Sequence, residues 1–75
     1  MRPTEIFARA RKIKLANDEL ARRAGLNSTT VDRALLGKTD PRISTLNAIA
    51  GALVAAEVEM RDYLNALHPG EERAA

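Results

Sequence analysis

Apolar residues recur at helical spacing along almost the whole chain, and no stretch alternates apolar with polar as a half-buried strand would. Ile6, Ala10 and Ile13 recur at four and three residues, with Phe7 beside them, so residues 4 to 15 are predicted as a first amphipathic helix. Its other faces carry Arg9, Arg11, Lys12 and Lys14. A second helix opens at Asn17, either its cap or its first residue. Asp18 and Glu19 complement the dipole there, and Leu20, Ala21 and Ala24 form its inner stripe. Gly25 stands where a left-handed residue closes a helix. Asn27 then caps a third helix running to about Leu36, with Val31, Ala34 and Leu35 inward, and Gly37 closes it in the same way. The stretch KTDPR is a turn, because Pro41 lacks an amide proton and biases Asp40 away from helical geometry.

From Ser44 onward, apolar residues fall at 46, 49, 53, 56, 60, 63 or 64, and 67. Only Gly51 weakens the interior, so this is one long helix or two with a short break near Val54 to Glu57. HPGEERAA ends the pattern, and residues 69 to 75 are expected as a frayed tail behind a single domain over residues 1 to 68.

Length narrows the function. A 75-residue domain buries only about 60% of its unfolded surface, which leaves no room for a large substrate cleft. No cysteine is present, so disulfides and cysteine-based zinc sites are excluded and helix packing alone holds the fold. The beginning of the chain, MRPTEIFARARKIKL, has closely spaced charges and no apolar signal region, and no apolar run nears the roughly 20 residues of a membrane span. The expectation is a cytoplasmic chain without membrane association.

The formal charge of +2 hides an asymmetry. Residues 1 to 42 carry ten cations against five acids, whereas residues 43 to 75 carry two against five. A basic half suits an anionic partner such as nucleic acid, although solvated helix faces also produce an uneven split. The polar run Asn27 to Thr30, directly ahead of Val31, Ala34 and Leu35, allows two readings as well. Such residues are good helix caps, and at a helix N-terminus they also suit phosphates and base edges.

The second and third helices are separated by only the few residues AGLN, which forces a steep crossing with small residues at the approach, Ala21 and Gly25. Here the segment Asn17 to Leu36 resembles the helix-turn-helix of the lambdoid phage repressor and Cro family, the XRE-type regulators. ELARRAGLNSTTVDRALLGK and PRISTLNAIAGAL carry the likeness: Leu-Ala on the second helix, Gly at the turn, a β-branched residue six positions later, Gly after the third helix, then Pro and a leucine-rich fourth helix. It covers about residues 6 to 54. The resemblance implies an all-α, lambda-repressor-like bundle of four or five helices that binds double-stranded DNA, with the third helix entering the major groove N-terminus first.

Carried onto this sequence, the resemblance makes Ser28, Thr29, Asp32 and Arg33 base-contacting. Arg33 suits guanine O6 and N7, the Thr29 methyl suits thymine, and Asp32 suits cytosine N4 or an ion pair holding an arginine. Asn17 matches the family's phosphate-binding Gln at the start of the second helix. Thr30, Lys38, Thr39, Arg42, Arg11 and Lys14 are the further phosphate contacts.

The chain also departs from the family. Ala10 and Leu35 replace a buried Arg–Glu pair that some members carry, a change often neutral for stability. Ala34 is smaller than usual, Leu36 stands where a polar residue is common, and no Gly breaks the chain after the fourth helix.

Leu53, Met60, Tyr63, Leu64 and Leu67 form a stripe that either completes the monomer core or seals a homodimer. Glu57, Glu59 and Asp62 are expected on a solvated face. His68 is the only histidine and has no companions, so no metal, cofactor or catalytic role is expected and the chain is not an enzyme. The expected function is sequence-specific DNA binding by a bacterial or phage transcriptional regulator. The alternative is a protein-interaction module, antitoxin-like or an adaptor, using the same scaffold.

Overall fold

A computed structural model describes residues 1–37 and 40–67, which form four helices: α1 (Pro3–Lys12), α2 (Asn17–Ala24), α3 (Ser28–Leu35) and α4 (Ile43–Leu67). Among the described residues there is no strand. Lys38, Thr39, His68 and the expected tail at 69–75 lie outside them.

Pro3 starts α1 with its backbone angle already helical, and the Ile6 amide donates to the Arg2 carbonyl at 3.0 Å. The helix ends at Lys12, three residues before the periodicity does. The Leu15 amide donates to the Ala10 carbonyl at 2.8 Å and the Lys14 amide to the Arg11 carbonyl at 3.0 Å. That paired closure places Lys14 in the left-handed region at φ +55°. Ile13 and Leu15 still pack against the core after the reversal, so the apolar spacing overruns the helix.

The same closure ends α2, with Gly25 at φ +72° and the Leu26 amide donating to the Ala21 carbonyl at 2.9 Å. Gly25 is exposed and a Cβ built on it meets nothing within 4 Å. Its left-handed backbone therefore explains the glycine, not the close approach expected from the short turn. Ala21, which is buried, fits the expected small residue. Asn27 holds the capping position of α3, but its side chain makes no capping bond, contrary to the expectation. Only its carbonyl engages, accepting from the Val31 amide at 3.2 Å.

The core unites Ile6 and Ala10 of α1, Leu20 and Ala21 of α2, Val31, Ala34 and Leu35 of α3, and Ile49, Ala52 and Leu53 of α4. Among the described residues no polar or charged side chain is buried. Ala10 and Leu35 thus lie in one apolar interior, which needs no ion pair to neutralise it. Each large side chain fully buried there contributes roughly 1.5–3 kcal/mol. α2 packs on α3 and α4, and α1 packs on α4 and α3.

α4 is one helix of 25 residues, unbroken at Val54 to Glu57, and spans about 37 Å. Its inward stripe is buried at Ile49, Ala52, Leu53 and Ala56, then continues at the same helical phase through Met60, Tyr63, Leu64 and Leu67, all exposed. Leu53 therefore belongs to the monomer core and is unavailable to a dimer seam. Of the expected solvated carboxylates, Glu59 and Asp62 are exposed and Glu57 is half-buried. Glu57 binds Arg9 of α1 and Glu59 binds Arg23 of α2, so two ion pairs tie α4 to the body just where core burial stops. Asp62 stays on the surface beside Arg61.

By length and composition α4 is apolar enough to cross a membrane, contrary to the expectation from the sequence. Of that apolar stretch 22% is buried, the stripe Ile49, Ala52, Leu53 and Ala56 facing α1 to α3, and the ion-paired Glu57 and Glu59 interrupt it further along.

Candidate nucleic-acid interface

Because Val31, Ala34 and Leu35 turn into the core, the opposite face of α3 is left to solvent. Thr29 and Arg33 are exposed on it, Thr30 is exposed and Asp32 half-buried at its shoulders, and Ser28, in phase with Leu35, is exposed as the first residue of the helix. Successive residues advance 100° around a helix, so Thr29 and Arg33 point most directly away from the interior. Leu36 shares that direction and is 55% exposed, at the residue following α3. The sequence marks Leu36 as standing where a polar residue is common, and the spacing 29, 33, 36 is the signal that places it on this face.

α2 contributes Asn17, its first residue, whose Nδ2 donates to Asp32 Oδ1 at 2.7 Å across the helix-turn-helix. The expected alternative for Asp32, an arginine partner, does not occur among the described residues. The arginines engage elsewhere. Arg22 pairs with Glu19, and Arg23 bridges Glu19 at 3.1 Å and Glu59. Hydrogen bonds from Arg22 hold the Glu19 carboxyl below its ordinary range, and those from Arg23 do the same for Glu59.

The remaining candidate cations sit at the edges of this surface. Arg11 is exposed in the last turn of α1, its guanidinium carbon 5.5 Å from the Phe7 ring centre, a cation–π stack that holds it against the helix. Lys14 is exposed in the α1–α2 turn, and Arg42 is exposed just ahead of α4. Lys38 and Thr39 fall outside the described residues. The fold thus brings Asn17 and Asp32 into contact and gathers Ser28, Thr29, Thr30 and Arg33 on one short helix.

Away from α3, a groove of about 280 Å³ opens where the core stripe emerges, lined by Ile13 and Leu15 on one side and Ala56, Met60 and Tyr63 on the other, with Arg23 and Glu59 at its rim.

A family model described as a Cro/C1-type helix-turn-helix DNA-binding domain matches residues 5–54, from the first turn of α1 to the middle of α4. No curated protein and no solved structure matched the chain.

Proposed function

Since the chain belongs to the Cro/C1-type helix-turn-helix DNA-binding family, we propose that it recognises a specific double-stranded DNA sequence and acts as a transcriptional regulator of the bacterial or phage kind. The observation that carries this reading is the outward face of α3, where Thr29 and Arg33 project from a helix whose other side is locked in the core, with Ser28 exposed at its N-terminus. A helix held in this way enters the major groove N-terminus first. Arg33 is the long donor, suited to guanine O6 and N7, while Ser28 and Thr29 bond short-range and the Thr29 methyl meets a thymine methyl.

The backbone contacts of the proposal are Asn17 at the start of α2, Thr30, Arg11, Lys14 and Arg42, with Lys38 and Thr39 in the following loop. Arg9, Arg22 and Arg23 are excluded because acidic partners already occupy them. With one long donor among the base contacts, DNA shape and backbone contacts supply much of the selectivity.

A second copy of the chain is the proposed cover for Met60, Tyr63, Leu64 and Leu67, which would place two copies of α3 on half-sites one helical turn apart. The exposed stripe also suits the second reading, a protein-interaction module, because apolar side chains standing beyond the core fit a foreign helix equally well.

Selection from a randomised duplex pool separates the two. A regulator enriches one sequence, and its affinity falls with salt at a slope of about −0.9 per phosphate contact in log–log form. Failure to enrich any sequence overturns the regulator reading and leaves the interaction module.

A further inference from the structure

One polar bond crosses the face of the helix-turn-helix: the Asn17 amide to the Asp32 carboxylate, 2.7 Å and half-buried. Asp32 is the only acid on α3, on the surface that the proposed reading turns toward a polyanion. Other carboxylates joining helices here, Glu57 and Glu59, meet an arginine, whereas Asp32 meets a neutral amide. A carboxylate left charged beside phosphates weakens binding, so its presence needs a compensating role.

The bond supplies that role. With Nδ2 committed to Asp32, the amide of Asn17 cannot flip, and its second N–H remains as a donor in a fixed direction. The carboxylate, in turn, has one oxygen engaged and is drawn toward the first turn of α2, off the Thr29–Arg33 direction.

We propose that Asp32 is a positioning residue for Asn17 and not a base reader: it holds the amide so that the free N–H donates to a DNA phosphate. This rests on the groove reading of α3. Direct base contact then narrows to Ser28, Thr29 and Arg33, and the α2 phosphate contact is set from the recognition helix itself.

The test compares wild type, Asn17→Ala, Asp32→Ala, the double variant and Asp32→Asn in randomised-duplex selection and in affinity for the enriched sequence, with thermal unfolding to verify folding. Asn17→Ala weakens binding about tenfold, the loss of one charge-assisted bond, and Asp32→Ala about three- to fivefold, the same loss offset by the acid removed from the DNA side, while both enrich the same sequence as wild type. The double variant loses about as much as Asp32→Ala and not the product of the two single losses, because both changes remove one contact. Asp32→Asn keeps an acceptor oxygen and removes the charge, so it binds about two- to threefold tighter. In the free protein, the Asn17 side-chain amide resonances shift in Asp32→Ala.

Relaxed choice at a single base pair in Asp32→Ala and Asp32→Asn, with Asn17→Ala unchanged there, makes Asp32 a base reader and overturns the proposal. Multiplicative losses in the double variant do the same. If wild type enriches no sequence while the amide resonances still shift, the groove reading fails and this role falls with it.

Discussion

Leu53 and Leu64 stand on the same stripe of α4, eleven residues apart and nearly in phase, yet Leu53 is 0% exposed and Leu64 is 48% exposed. Truncating each to alanine measures where the monomer core stops. Around Leu53 lie Ile6, Leu20, Val31 and Ile49, all fully buried, from four different helices, so the space left by Leu53→Ala has little freedom to collapse. The expected loss is about 3–4 kcal/mol, within the range for a buried leucine. A 75-residue domain at roughly 0.05–0.15 kcal/mol per residue holds only about 4–11 kcal/mol in total. Leu53→Ala therefore lowers the melting temperature by roughly 12–30 °C. Leu64→Ala costs less than about 1 kcal/mol in the monomer, since half of that side chain already meets water. Urea denaturation followed by far-UV circular dichroism at low micromolar concentration reads both, with the slope unchanged and only the midpoint moving. Equal losses at the two positions would refute the boundary placed after Ala56, because Leu64 would then be packed within the monomer.

Three further outcomes follow. Lys14→Gly raises stability by about 0.5–1 kcal/mol in the same urea assay, because Lys14 holds φ +55° without a functional need for its Cβ, while the lost cation weakens DNA binding. Glu19 and Glu59 titrate below their ordinary value of 4.5, so their ion pairs stabilise the fold above that pH and release it as pH falls through the lower folded values. Melting temperature should accordingly be flat from pH 7 to 5 and decline below about 4.5, with a shallower decline in Glu59→Gln. Leu67→Glu places a charge in the exposed stripe, and if a second copy covers that stripe as proposed, sedimentation shows a dimer for the wild type and a monomer for the variant at the same concentration.

The helix-turn-helix was legible because short-range chemistry carries it. Gly25 and Gly37 both adopt positive φ, and Val31, Ala34 and Leu35 are buried at the spacing their sequence implies. The end of α1 was not legible, since its left-handed closing residue is Lys14 and the apolar signal of Ile13 and Leu15 runs on past it. Periodicity fixed the face of α4 but could not place Leu53 inside and Met60 outside, because phase says nothing of how far the neighbouring helices reach. Arg9–Glu57 and Arg23–Glu59 join residues 48 and 36 positions apart, and no local pattern announces either. On the candidate interface, the outward set of α3 came from the family resemblance together with helical spacing. The Asn17–Asp32 bond did not, because it depends on how two helices cross.

The central claim, that the exposed face of α3 reads bases in the major groove, is tested most directly by removing single major-groove acceptors from an enriched duplex. Replacing each guanine in turn by 7-deazaguanine deletes N7 and leaves pairing intact. The account predicts one position per half-site where this costs the wild type about tenfold and costs Arg33→Ala nothing. Uniform indifference of the wild type to every replacement, or equal sensitivity of Arg33→Ala, would contradict it.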